Sequence, residues 1–551
     1  MTVISSKCII REVSGYKMLC HIRNFHHTKV RPANSFTITS YREEIMSETK
    51  KEILGEQGIY DAKALGAPKT AVLGIQHMFA MFGSTVLVPL ITGLSVSATL
   101  LFAGLGTLLF HLITKKKVPA FLGSSFAFLT GYGTIAGLII MKSDGVQMTP
   151  SELLPYACFG VALAGLLYLV LALLFKIFGA GNVMRFFPPI VTGPIIIAIG
   201  LILSYSAINS CSANWPIALV AILAIIICNI WGKGMVKILP ILIGVIASYA
   251  VAAVTGNVDF SGVAAAPWIG LPVKFSNTVF SIFAPGSYSG SFSMQTLDPA
   301  TGQTVTTVLT KGGLLATSAI TIVPIAIATM MEHIGDISAI SSTVNRNFIK
   351  DPGLHRTLTG DGLATALASL FGAPANTTYG ENTGVLTLTK VYDPFVIRLA
   401  AYFAILMSFC PKFSAIIEAM PSATVGGISL VLYGMISAVG VRNIVETQVD
   451  FTKSRNVIIA ALILVLSIGI KFSDAGAISF TIGEASIALS GLAVGSLIGI
   501  LLNAILPGKD YTFNEDTGSE TGADLSGISE KEIREDKKEQ IKESKKSKGK
   551  K

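Results

Sequence analysis

From Ala71 to Leu506 the chain is a succession of long apolar runs separated by short polar breaks. Runs of this length, close to the ~20 residues that cross a bilayer as a helix, leave few folds open. The breaks divide the region into fourteen segments. Seven lie near 70–93, 96–113, 118–140, 152–177, 184–206, 215–231 and 236–254. Seven more lie near 313–341, 357–373, 375–391, 394–410, 420–440, 455–472 and 484–506. Residues 255–312 form a Gly/Ser/Thr-rich connector between the two sets. The spacing predicts an all-α polytopic membrane protein with fourteen transmembrane segments.

Charge content supports the same class. Only 14% of residues are charged, against roughly 25% in soluble domains, too few to cover the surface of a soluble chain this long. A net charge of +9 raises the question of nucleic acid, but no basic patch is interleaved with aromatic residues, and no nucleic-acid partner is expected. The charge follows topology instead. With the N-terminus inside, the inner connectors hold fifteen of the twenty Lys and Arg residues between 70 and 508, and the outer connectors hold five. This bias predicts both termini in the cytoplasm and the plasma membrane as the location.

Residues 1–69 read as a cytoplasmic leader. Within it, residues 1–45 lack helical periodicity, and Met46 opens an ordinary cytoplasmic start, so 1–45 are expected to be a dispensable extension. Residues 509–551 read as a charged cytoplasmic tail. The six cysteines are scattered, with no metal-ligand or redox spacing, and read as packing residues. No P-loop, zinc motif or nucleophile elbow appears in a suitable context, so neither an enzyme nor a metal site is expected.

Seven segments per half is an odd number, which gives the halves opposite orientations and predicts a 7+7 inverted repeat. Weak internal similarity agrees: Gln76-His77 matches Glu332-His333, and Ser125-Phe126 matches Gly380-Glu381, at offsets of 256 and 255. The third and tenth segments open with Pro, Gly and small polar residues, VPAFLGSSFAF (118–128) and GAPANTTYGENTGV (372–385). Broken segments in corresponding positions of two halves point to a substrate site at mid-membrane. Carboxylates inside apolar segments are costly and mark function. Glu332, Asp336, Asp361 and Glu381 are such groups, and Glu332 and Asp336 share a helix face at i,i+4. A buried carboxyl that is neutral at one stage of a cycle and charged at another can carry a proton. His77 is a further buried polar candidate.

QHMFAMFGSTVLVPL (76–90), MEHIGDISAIS (331–341), DPGLHRTLTGDGLAT (351–365) and GAPANTTYGENTGVLTLTKVY (372–392), with VPAFLGSSFAF, resemble the nucleobase–ascorbate transporter family, also called nucleobase–cation symporter 2. The resemblance covers roughly residues 65–508 and is closest to bacterial uracil permeases. Asn382-x-Gly384-x(4)-Thr389-Lys390 fits the family signature. The resemblance implies a core domain (segments 1–4 and 8–11), a gate domain (segments 5–7 and 12–14), short strands in segments 3 and 10, an extracellular 255–312 connector, a homodimer, and an elevator-like, proton-driven import of uracil without other cofactors. It assigns uracil binding to Glu332 and Glu381, main-chain contacts to Phe126 and Gly380, pocket lining to Ser84, Tyr379 and Tyr433, and site support to His77, Asp361 and Asn382. One position departs. The uracil pattern has His four residues after the first glutamate, and here Asp336 stands there. Asp336 and Asp361 resemble the xanthine branch, whereas Glu381 resembles the uracil branch, so a xanthine or dual permease is the alternative. Glu332, Asp336 or the coupled pair is then the proton carrier. An anion exchanger on the related sulfate-transporter fold is a more distant reading.

Overall fold

The computed structural model describes residues 58–509 except 286, 289, 298–303, 475, 483 and 484, together with residue 511. The expectations for the extension 1–45, the rest of the leader to residue 57 and the tail from 512 lie outside the described residues. The first half comprises α1 (Ala67–Thr92), α2 (Val96–Ile113), β1 (Leu122–Ser124), α3 (Leu129–Ala136), β2 (Ile139–Lys142), α4 (Pro150–Phe178), α5 (Pro189–Ser212), α6 (Trp215–Trp231) and α7 (Pro240–Val254). The connector contributes β3 (Phe292–Leu297) and β4 (Thr304–Leu309). The second half comprises α8 (Lys311–Ile322), α9 (Ala326–Val344), α10 (Leu354–Leu370), β5 (Asn376–Thr378), α11 (Gly380–Thr389), α12 (Pro394–Ser408), α13 (Pro411–Glu418), α14 (Ser422–Glu446), α15 (Ser454–Lys471), β6 (Ala477–Ile482), β7 (Ala485–Ser490) and α16 (Gly491–Ile505).

Among the described residues, seven helical stretches have the length and apolarity to cross a membrane, α8 and α9 together forming one of 34 residues. An eighth arises if α12 and α13, bent by 88° at Phe409 and Cys410, are one crossing. The remaining apolar helices, α6, α7 and α16, are shorter. Large apolar side chains such as Val170, Leu173, Val465 and Leu501 point outward, as expected where the solvent is hydrocarbon. The interior holds buried tyrosines, including Tyr132, Tyr168 and Tyr433. Helices approach closely through small residues. A Cβ on Gly165 of α4 would stand 2.7 Å from Gly362 O and Ala366 N of α10.

The helices pack in two sets. α4 packs on α8 and α10, and α12 packs on α1 and α2. In the other set α14 packs on α5 and α6, α6 on α7, and α15 on α5 and α16.

Strands interrupt the helices where the sequence cannot sustain them. Pro119, Gly123 and Pro374 break the third and tenth segments, and β1 and β5 pair antiparallel there, with Leu122 opposite Thr378, Gly123 opposite Thr377 and Ser124 opposite Asn376. Backbone bonds from Ser125 N to Ala375 O (2.8 Å) and Tyr379 N to Phe121 O (3.1 Å) extend the ladder.

Three boundaries differ from the sequence expectation. The connector is partly folded: β3 pairs with both β2 and β4 in a three-stranded sheet. The third segment ends as helix at Ala136, and Ile139–Lys142 is strand. The last helix begins at Gly491 rather than near 484, because Ala477–Ile482 and Ala485–Ser490 alternate in the period of a strand and form a hairpin.

Candidate substrate site

The β1–β5 pair is held from all sides, because irregular backbone at this depth survives only where the protein satisfies it. Ser124 Oγ donates to Thr85 O of α1 (2.7 Å), and Tyr379 Oη donates to Ser124 O (2.8 Å). Asn376 Nδ2 donates to Phe102 O of α2 (2.9 Å), and Thr365 Oγ1 of α10 donates to Asn376 O (2.7 Å). Gly123 must be glycine: a Cβ there would lie 2.4 Å from the Tyr379 ring and 2.8 Å from Thr85 Oγ1. Tyr379 is therefore turned into the core as a brace beneath β1, 3% exposed.

Directly after the strands the chain turns into helices, α3 after Phe128 and α11 at Gly380. The first turn of a helix leaves backbone N–H groups without intrahelical partners and carries a partial positive charge. Glu381 is the second residue of α11, and its side chain lies outside the described residues.

α9 runs alongside and presents Glu332 and Asp336, both half-buried, on one face. Thr378 Oγ1 donates to Asp336 Oδ2 (2.9 Å). The other oxygen, Asp336 Oδ1, comes within 3.8 Å of where a Gly380 Cβ would stand. The α9 carboxylate and the start of α11 thus face each other. Behind them, His333 and Asp361 are wholly buried, with His333 Nδ1 3.0 Å from Asp361 Oδ2 and 3.4 Å from Thr378 Oγ1.

The other predicted residues form two further groups. Phe126 follows β1 and meets Tyr433 of α14 edge to face, with ring centroids 5.7 Å apart at 79°. The Tyr433 hydroxyl sits beside Ser429. His77 of α1 and Asn382 of α11 are both buried and face one another without hydrogen-bond alignment. Ser84 is wholly buried on α1. Sequence reasoning missed Thr378, which joins Asp336 to His333. Its partners are 42 and 45 residues away, so no local spacing marks it. Among the described residues no cluster has the make-up of a metal site.

Apolar helices enclosing a pair of broken, strand-joined segments, with carboxylates gathered beside them, define a multi-pass membrane permease. Residues 68–476 match the model of the permease family that includes xanthine and uracil permeases. The chain belongs to that family, the nucleobase–ascorbate transporters, whose members are transporters and not enzymes. It is 40% identical over 450 residues to the uracil permease of Bacillus caldolyticus, covering 79% of this chain and 92% of that one. It is 39% identical over 446 residues to the uracil permease of Bacillus subtilis (79% and 91%). It is 35% identical over 452 residues to the putative pyrimidine permease RutG of Escherichia coli (80% and 90%). Among solved structures, SLC26A9 is similar in fold, with a TM-score of 0.52 at 14% identity, covering 87% of this chain and 72% of that one.

Proposed function

We propose that the protein imports uracil across the cell membrane, coupled to protons. The observation that carries this reading is the antiparallel β1–β5 pair, with the Asp336 carboxylate of α9 beside the start of α11 and Glu332 one turn away on the same helix face. Uracil is a flat, neutral ring with two N–H donors and two carbonyl acceptors. Carboxylates at Glu332 and Glu381 accept from the N–H groups, and backbone N–H groups at Phe126 and Gly380 donate to the carbonyls. Phe126 and Tyr433 flank the ring and Ser84 completes the wall; Tyr379, expected to line the pocket, instead braces β1 from behind, and His77, Asn382 and Asp361 support the site. A site matched to these bonds rejects analogues that leave a buried group unpaired. The relatives named uracil permease support the substrate.

The architecture we infer is fourteen crossings in a 7+7 inverted repeat with both termini in the cytoplasm. β1 and β5, offset by 254 residues and antiparallel, support the inversion. The shorter helices α6, α7 and α16, with α10 and the broken units β1–α3 and β5–α11, supply the crossings that length alone passes over. The two packing sets support a core domain (segments 1–4 and 8–11) that slides as an elevator against a gate domain (segments 5–7 and 12–14), in a homodimer with an extracellular 255–312 connector.

Asp336, in place of the histidine of the uracil pattern, favours one second reading, a xanthine or dual permease. The likeness to an anion transporter extends to the fold alone, and carboxylates at the site oppose an anionic substrate.

Uptake of radiolabelled uracil into proteoliposomes with an imposed pH gradient tests the reading. Uptake driven by an acidic exterior, abolished by a protonophore and unaffected by excess xanthine is the expected result. Competition by xanthine as strong as by uracil selects the dual reading. Uptake indifferent to the gradient overturns proton coupling, and no uptake overturns the substrate.

A further inference from the structure

A cavity of about 180 Å³ lies between the end of α4 and the turn that opens α10, and none of the substrate-site carboxylates lines it. Phe175, Ile349 and Leu354 give it apolar walls, and Lys350 and His355 give it polar ones. Three cations lie near its His355 wall. Arg356 on α10, Lys176 in the last turn of α4 and Lys115 just past α2 all act on the His355 ring. Asp351, the acid in the same turn, is already paired with Lys117. Arg356 Nη1 donates to Ile113 O (3.1 Å), which ties the start of α10 to the end of α2.

Like charges brought together beside a cavity repel, and an anion between them offsets that repulsion. The surroundings say which kind of anion fits. Leu112 (68% exposed), Ile177 (63%) and Phe178 (57%) project outward beside Lys115 and Lys176, so the cationic rim stands at the edge of the lipid-facing surface. A ligand with a phosphate head and a hydrocarbon tail matches both features, whereas free phosphate matches only the cations.

We propose that this cavity binds the phosphodiester headgroup of an anionic membrane phospholipid, with its acyl chains lying along the outward face of α4. Lys176 and Lys350 hold the phosphate and Phe175 and Leu354 contact the glycerol end. The inference rests on the membrane placement of α4 and α10 and not on which base is carried.

Its test therefore reads lipid binding rather than uptake. The full-length protein is titrated in neutral detergent with short-chain phosphatidylglycerol, short-chain phosphatidylcholine or inorganic phosphate, and bound ligand is counted by native mass spectrometry. Phosphatidylglycerol is expected to bind at one saturable site, with phosphatidylcholine and inorganic phosphate far weaker. Lys176→Gln with Lys350→Gln is expected to weaken phosphatidylglycerol binding about thirtyfold, and the paired arginine variants to retain it. Lys233→Gln with Lys237→Gln, two exposed cations away from the cavity, is the control for general surface charge and is expected to change nothing. Equal loss in that control overturns the proposal, as does binding unchanged in the Lys176/Lys350 variant. Inorganic phosphate binding as tightly as the lipid overturns the lipid as occupant.

Discussion

A carboxyl group inside a membrane is retained where neighbours donate to it or where its proton is used. Asp336 has such a donor in Thr378 Oγ1 at 2.9 Å, whereas Glu381 is the second residue of α11. Glu381→Gln keeps the shape and removes the charge, so it is expected to lower uracil uptake at least tenfold while the protein still reaches the membrane. Wild-type uptake would remove Glu381 from the site. Glu332→Gln is expected to uncouple transport from the proton gradient, read as residual uptake that a protonophore no longer suppresses. Gly123→Ala tests the strand pair itself. The new methyl would meet the Tyr379 ring at 2.4 Å, and overpacking of that kind costs roughly 1–3 kcal/mol. A lower thermal midpoint in detergent together with lost uptake is expected, and an unchanged midpoint would mean that Tyr379 moves aside freely. The acids were legible in the sequence because a charge among apolar residues stands out. Thr378 was not, because a threonine in a broken segment is ordinary and only the fold brings it to Asp336 and His333.

At the scale of elements, the breaks mattered more than the helices. Pro119, Gly123 and Pro374 made two segments poor helices and so pointed to the place where β1 and β5 meet. The two hairpins were hidden for the opposite reason. Ala477–Ile482 and Ala485–Ser490 are apolar enough to merge with the following helix when only hydropathy is followed, although their residues alternate with period two. Likewise β3 and β4 sit in a stretch whose small polar residues resemble a loop, and they become strands by pairing with each other and with β2. Ends of elements are also where one side chain can serve two segments. Asp393 Oδ1 accepts from Phe395 N and caps α12, while Oδ2 accepts from Ala62 N, each at 2.8 Å. This ties residues just before α1 to the turn that follows α11, where Ile59 also bridges Val391. Asp393→Ala removes both bonds and is expected to cost about 2 kcal/mol in all. Asp393→Asn retains one acceptor oxygen and is expected to fall between. Thermal unfolding of the three proteins in one detergent checks the order, and an asparagine variant as unstable as the alanine one would show that charge, not the number of acceptors, holds the junction.

For the whole molecule, the placement of Lys and Arg predicts an orientation, and the offset between the two broken segments predicts a repeat, but neither says which helices travel together. Packing does. α1 belongs with α12 and α2, and α7 belongs with α6, so the face between α1 and α7 is where a sliding core would pass a stationary gate. At that face Gly83 of α1 stands against Ile241 of α7: a Cβ on Gly83 would be 3.4 Å from Ile241 Cβ, close to the ~3.5–4.5 Å that a disulfide spans. The close approach that bars larger side chains from position 83 therefore suits a paired substitution, because Ile241→Cys removes the methyl that a Gly83→Cys side chain would strike. The described native cysteines are Cys158, Cys211, Cys228 and Cys410, and replacing all six in the chain with alanine or serine provides the background. If the core slides against the gate, oxidation of the double variant stops uracil uptake and a reductant restores it, while each single variant transports in both conditions. Binding separates this from damage to the site, since the oxidised protein is expected to keep its uracil affinity in detergent within a few-fold. A fully cross-linked protein that still transports at the reduced rate would mean that α1 and α7 move as one body, and the boundary between moving and fixed parts would have to lie elsewhere.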